Sequence, residues 1–377
     1  NVDGIKNVAV GYAALNADCV SNNTAVGELA LTAFTGSNAT AIGSGAMDAA
    51  TSAGYSTAVG MSALGAVIDG VSNTAVGVSS MGLLTDTHYN TAMGHGSGYS
   101  CDGTSNVYLG YNAGFYATTA DDCIAIGRSA LAGVDGTPVT GNFNVAIGNY
   151  SLDAATSATQ NVAVGKGTLS GLTDQSYNTA LGHSAAGNVI GTSNVIIGRD
   201  AAYNAGDIDH CVAVGFSALV GATMTDATQA GAIGSGTTIT MDGANADILV
   251  GMKVSGTNIA EGTYITTVAS AAANPQVFVI NQAVAASVAG GTTLTFYKNS
   301  GNYNIAIGSD ALDAITTGNR NIAIGHNAAS ALDGESYNVA IGYNALEIDA
   351  ASSGTVAIGY YALSDQNTAS SNNVAVG

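Results

Sequence analysis

The chain has 377 residues, of which 9% are charged, with 26 acidic against 7 basic side chains and a formal net charge of −19. So acidic a chain, with no basic patch, is a poor partner for nucleic acid, and it contains no run of eighteen apolar residues that could cross a membrane as a helix. It has 51 glycines and only two prolines, so turns are frequent and ladder-breaking residues scarce.

The first predicted element, Asn7-Val8-Ala9-Val10-Gly11, returns along almost the whole chain as Asn-[Val/Thr]-Ala-[Val/Ile]-Gly. A first series of motif glycines runs Gly11, Gly27, Gly43, Gly60, Gly77, Gly94, Gly110 and Gly127, with gaps of 16 or 17 residues. A fixed short period means one unit stacked many times, each burying its apolar face against its neighbours. Seventeen residues are too few for a helical hairpin, and a Val-, Ile- and Thr-rich stretch between Gly and Asn reads as a strand between turns. Side chains alternate across a strand, so Val8 and Val10 share one face and Ala9 takes the other. The Val/Ile face is expected to fill the coil. The opposite face is Ala in 16 of 18 units, with Tyr108 and Ile196 the exceptions. Repeated small residues there suggest close packing of another backbone, most simply a second copy of the chain, against the plainer reading of drift in an Ala-rich protein. Ala9, Ala25, Ala146, Ala163, Ala323 and Ala340 are the contact residues this implies. A second short strand is expected after each glycine, carrying Ala14-Leu15, Ala30-Leu31, Ala63-Leu64 or Ala130-Leu131. The leading Asn suits a left-handed turn and can bond along its column.

A short joint follows around Gly133–Pro138, where the gap lengthens to 21 residues. The next series runs Gly148, Gly165, Gly182, Gly198 and Gly215 and repeats the previous block at an offset of 88 residues, so that Leu84–His95 matches Leu172–His183 and Cys123 matches Cys211. Those two cysteines replace the leading Asn five coils apart, too far for a bridge between them. With Cys19 and Cys101 they read as small buried residues rather than a disulfide framework.

The gap from Gly215 to Gly308 is 93 residues. Within it, Thr237–Met241, Tyr264–Val268, Gln276–Ile280 and Thr292–Phe296 alternate polar and apolar residues between Gly and Asn turns, as strands of a small antiparallel β-sandwich or barrel would. Both prolines, Pro138 and Pro275, lie in the two interruptions, where no ladder donor is lost. The motif resumes at Gly308, Gly325, Gly342, Gly359 and Gly377. The expected organisation is therefore a solenoid over 1–221, an inserted domain over 222–302 projecting sideways, and solenoid again over 303–377. The chain starts within a turn and stops on a motif glycine, as a piece of a longer or processed protein would.

Asn304-Ile305-Ala306-Ile307-Gly308-Ser309-Asp310-Ala311-Leu312 resembles the repeat of YadA-like heads of trimeric autotransporter adhesins, and the related repeats of phage tail fibres. The resemblance spans some 290 residues and eighteen repeats. It implies an all-β, left-handed parallel β-roll (β-solenoid) of about 17-residue coils, three chains side by side as a homotrimer, and a role in surface attachment outside the cell. The period exceeds the roughly fourteen residues of the bacterial heads, so larger outer turns are expected. Val250–Ile259 and Gly262–Ile265 of the insertion are similar to β-domains spliced into marine phage fibre proteins. Low Lys content, acidity and this insertion favour a virion fibre; the head of a bacterial adhesin is the alternative.

Catalytic signatures are few. There is no nucleophile elbow, no P-loop, no Cys-x-x-Cys and no calcium-binding nonapeptide, so no cofactor is expected. His95, His183 and His326 each follow a motif glycine, and read as exposed turn residues rather than metal ligands. Asp121-Asp122-Cys123 and Asp207–Cys211 read as turn formers. A polysaccharide-degrading tailspike would need two carboxylates across a groove, and no pair stands out. An ice-binding solenoid would need a regular Thr ladder, and Thr at the second motif position gives way to Val or Ile after Thr179. Aromatic residues precede the motif at Tyr55, Tyr89, Phe143, Tyr177, Tyr303 and Tyr337, either stacking on sugars or packing over the turn. Tyr89, Tyr177, Tyr303 and Tyr337, with Lys253 and Tyr264 of the insertion, are the candidate surface-binding residues. The expected partner is a host-surface glycan or protein receptor.

Overall fold

The computed structural model describes residues 4–134, 136–220, 225–228, 238–241, 253–255, 259, 265–268, 276–280, 293–297, 301–349, 353–366 and 371–377. Among these residues there is no helix, and hence none long and apolar enough to cross a membrane. The chain forms two compact units, 1–187 and 188–377, each built on a parallel β-solenoid.

In the first unit eleven three-residue strands, from Val8–Val10 to Thr179–Leu181, stack in sequence order. Each pairs in parallel with the next, and like positions align: Ala25 with Ala41, Ala58 with Ala75, Ala146 with Ala163. In the second unit Val195–Ile197 pairs with Val212–Val214, and Val212–Val214 pairs with Ile305–Ile307. The ladder therefore closes in register across the 93-residue gap, and continues through Ile322–Ile324, Val339–Ile341, Val356–Ile358 and Val374–Val376.

Within that gap the strands Thr225–Thr228, Lys253–Ser255 and Thr293–Tyr297 form one three-stranded antiparallel sheet. Thr238–Met241, Ile265–Val268 and Gln276–Ile280 form another. Ile239, Val254, Ile265 and Phe278 are buried on these sheets. Tyr264 and Pro275 lie outside the described residues, and of Lys253 only the backbone is described, at the start of its strand.

The two strand faces are exchanged relative to expectation. Ala25, Ala146, Ala163, Ala323 and Ala340 are all 0% exposed and point into their own coils, so they are core and not contacts with a second chain. Ala9, on the first described strand, is exposed. The flanking Val, Ile and Thr point outward and are half-buried or exposed, as in Thr57-Ala58-Val59 and Val145-Ala146-Ile147. Size decides the direction. The fourth residue after each motif glycine, Leu31, Leu64, Leu131, Leu152 or Leu169, is wholly buried, and only a methyl group fits beside it.

The segment after the glycine is a run of turns and not the expected second strand. Its second and fourth residues are left-handed, as at Ser62 (φ 53°) and Leu64 (φ 50°), which folds the backbone back repeatedly. Such conformations cost roughly 1–2 kcal/mol each for non-glycine residues. Bonds between coils hold them: the Leu29 amide donates to Tyr12 O at 2.9 Å and the Leu15 amide to Ala30 O at 2.9 Å. The motif glycine is required on steric grounds. Gly110 has φ +136°, and a Cβ there would meet Gly127 O at 2.6 Å.

A buried Asn column locks one corner. The Asn106 amide donates to Asn90 Oδ1 at 2.9 Å, while Asn90 Nδ2 donates to Gly103 O at 2.9 Å. The left-handed residue is the one before the Asn, for example Tyr89 (φ 63°), rather than the Asn itself. The four cysteines are buried and none is in a disulfide. Cys123 takes the place of Asn with one atom: its thiol donates to Gly141 O at 3.5 Å and accepts from the Asn144 amide at 3.4 Å. Burial pushes this thiol up to about 11.

Candidate functional site: the outer strand face and two aromatic corners

Three surface features stand out among the described residues. The first is the outer strand face, with two parallel columns. One carries Thr24, Thr40, Thr57, Thr74 and Thr91 and then mostly Val or Ile; the other carries Val26, Ile42, Val59, Val76 and Met93 and their successors. Apolar side chains here remain open to solvent, with Ile42 at 40%, Met93 at 52% and Leu181 at 47%. In the second unit Ile197, Ile307 and Ile358 are each 36% exposed. The columns arise because the coil interior takes the middle strand residue, which is Ala in all but the Tyr108 and Ile196 coils, so the flanking residues are turned out.

The second feature is the corner before the Asn column, where the left-handed backbone throws side chains outward. Tyr89 and Tyr177 are 64% and 60% exposed; Tyr89 meets the His88 ring edge-on at 6.0 Å. In the second unit the same corner forms a stack. His210 lies on Tyr303 at 5.1 Å, and Arg320 lies 5.1 Å over Tyr303 and 5.6 Å over Tyr337. Arg320 also donates to the Tyr337 hydroxyl at 3.3 Å. Tyr303 and Tyr337 are thus gathered around one cation, and their ring faces partly occupied by neighbouring coils.

The third feature is aromatic residues just after the motif glycine, of which sequence reasoning singled out the histidines and not the tyrosines. His95 stacks on Tyr111 at 5.5 Å in the first unit. In the second, Tyr343 stacks on Tyr360 at 5.4 Å, and Tyr360 meets Tyr361 edge-on at 4.6 Å. Tyr360 is 72% exposed. The signal was present at a fixed offset from the glycine, but the variety of residues there hid it.

The acidic clusters are engaged in turn formation. Asp121 accepts from the Thr104 amide at 2.6 Å and its hydroxyl at 3.1 Å, one coil back; Asp209 does the same for Thr192 at 2.6 and 2.9 Å. Among the described residues no three His, Cys, Asp or Glu side chains are placed to hold a metal ion. Two carboxyls are pushed up from their usual range. Burial raises Asp153 to about 6, and burial with the nearby Asp310 charge raises Asp313 to about 6.

Comparison with protein families, with curated proteins and with solved structures yields no match to this chain.

Proposed function

We propose that the chain is a segment of a homotrimeric attachment fibre, a spacer that presents binding surfaces and does no chemistry of its own. The observation that carries this reading is the outer strand face. Its column of Val, Ile, Met and Leu runs in register through the stacked strands of each unit, beside a column of Thr, Val and Ile, and a contiguous apolar surface of this kind marks an interaction site. A second and third copy of the chain are the fitting occupants, because the columns repeat at the strand spacing and an identical surface matches them coil for coil. In this arrangement the contacts are made by Val59, Ile147, Val164, Ile307, Ile324 and their column neighbours, and the Ala column stays inside each chain. The roll is left-handed, as in the adhesin heads the repeat resembles, and the insertion closes as a sandwich from its two small sheets.

Attachment, on a virion or alternatively a bacterial cell surface, is favoured by exposed tyrosines at repeating corners, which offer a flat ring and a hydroxyl to a glycan or protein. The assembly is tested by mass photometry. Three times 36.9 kDa is expected, and Ile147→Asp with Val164→Asp should release monomers whose β-sheet circular dichroism is unchanged. A wild-type monomer sinks the trimer. Release of oligosaccharide from a host polysaccharide by the purified chain, abolished by one carboxylate substitution, would overturn the non-enzymatic reading.

A further inference from the structure

The residue directly after the motif glycine lies at the same corner in every coil. In four successive coils of the first unit it is Arg128, Asn149, Lys166 and His183, all exposed. The strands leading to them, Ile124–Ile126, Val145–Ile147, Val162–Val164 and Thr179–Leu181, pair in register. The four side chains therefore form a column with about 4.8 Å between neighbours. Backbone bonds tie the column together: the Tyr150 amide donates to Arg128 O at 2.9 Å and the Ser184 amide to Lys166 O at 2.9 Å.

Two observations single this edge out. The chain has 7 Lys and Arg against 26 acids, yet Arg128, Lys166 and, in the second unit, Arg199 share this one repeat position within five consecutive repeats. In the four coils of the first unit the three residues following the column are Ser-Ala-Leu, Tyr-Ser-Leu, Gly-Thr-Leu and Ser-Ala-Ala, with no carboxylate among them. The Arg128 guanidinium lies over the Tyr150 ring at 5.3 Å from its centroid. The ring fixes its direction and leaves the N–H edge for a ligand. Among the described residues neither Arg128 nor Lys166 forms an ion pair with an acid.

We infer that this column is a binding edge for an anionic polysaccharide, laid along the stacked coils, with Arg128 and Lys166 taking acidic groups and Asn149 hydroxyls. A linear polymer suits a linear column, since its acidic groups recur along one axis as the coils do. The net charge of −19 opposes this, Asp153 in the turn after Asn149 included. At physiological salt, fields decay over about 8 Å, so a docked chain senses the local column more than remote acids. A guanidinium binds a carboxylate through two parallel bonds, which gives the edge a preference for charged over neutral glycans.

The inference deepens the attachment reading and rests on it. The test uses the full chain, immobilised at 0.15 M salt, against polygalacturonate, dextran sulfate and neutral dextran of matched length. Polygalacturonate or dextran sulfate should bind and dextran should not, the two polyanions separating carboxylate from sulfate recognition. R128A with K166A should weaken binding by about tenfold or more, while R128K with K166R stays within about threefold. Both sites are exposed, so unchanged circular dichroism is expected. Absence of polyanion binding by the wild-type chain, equal binding of dextran, or an unaffected R128A/K166A variant overturns the inference. Host-cell adsorption that survives the double substitution removes this edge and leaves attachment standing; loss of adsorption in step with polyanion binding supports both.

Discussion

At the residue scale the repeat is governed by volume. Sequence alternation identified two strand faces correctly but not which one faces inward, because hydrophobicity favours burying Val over Ala. The buried Ala column and exposed Ile42 and Met93 show that steric fit prevailed. Left-handed Leu64 and Tyr89 were equally invisible, since neither residue type signals that conformation. Asp153 shows a second residue-scale effect. Its Oδ1 is buried without a hydrogen-bond partner, and burial raises its carboxyl from 3.8 to about 6. The folded chain therefore keeps a proton that the unfolded chain releases above pH ~4. Stability from this group is present below that pH and is lost as pH rises through about 6. Asp153→Asn is expected to raise stability at pH 7 by about 1 kcal/mol, discounted for partial solvent screening, with no difference at pH 4. Urea midpoints at the two pH values check this; a larger gain at pH 4 contradicts it.

At the element scale one coil departs from the pattern and its neighbours compensate. Tyr108 occupies the inward strand position where most coils carry Ala, and is fully buried. The positions that elsewhere hold Leu are glycine on both sides of it: a Cβ at Gly98 would meet Tyr108 Cδ2 at 2.7 Å, and one at Gly114 would meet Cγ at 2.9 Å. The large residue has moved from the turn to the strand, and total volume is kept. Tyr108→Ala should cost about 3–5 kcal/mol through the cavity left behind. Adding Gly98→Leu and Gly114→Leu, whose φ values of 58° and 61° match those of Leu at this position elsewhere, should recover a large part of it. Thermal melting of the single and triple variants decides the matter, and a triple variant no more stable than Tyr108→Ala refutes the exchange. The period and strand positions were legible because a motif repeated eighteen times averages out local ambiguity. The turns were not, because their geometry rests on bonds to adjacent coils, which no single window of sequence contains.

At the scale of the whole molecule the 93-residue gap is the main irregularity. Val212–Val214 pairs directly with Ile305–Ile307, so the ladder has no need of what lies between. Replacing 222–300 by the short joint around Pro138 should leave the solenoid and its assembly intact, because Gly301 and Asn302, which bond Cys211, Asp209 and Asn319, are kept with both flanking coils. A trimer by mass photometry, with reduced host adsorption, would assign recognition to the insertion. Failure to assemble would make it structural, and unchanged adsorption would place recognition elsewhere.

The Asn column gives the molecule a direction. Asn90 turns both of its side-chain groups to the following coil, accepting from the Asn106 amide and donating to Gly103 O. Toward the preceding coil it offers backbone groups only, its amide to Asn73 Oδ1 and its carbonyl to the Thr74 amide. Each finished coil is thus a template whose Asn side chain carries a ready donor and acceptor for the next, while the Asn90 side chain bonds nothing in the coil before. Order is therefore expected to grow from the N-terminus to the C-terminus, the same way the chain is synthesised. A coil of 17 residues leaves the ribosome every ~1–3 s, ample time to settle on the one before it. Asn90→Ala separates the two directions, since Ala keeps the backward amide and loses both forward bonds. Amide exchange should quicken at Asn106 and Val107 while Thr74 and Ala75 stay protected, and equal loosening on both sides would leave the column without a direction.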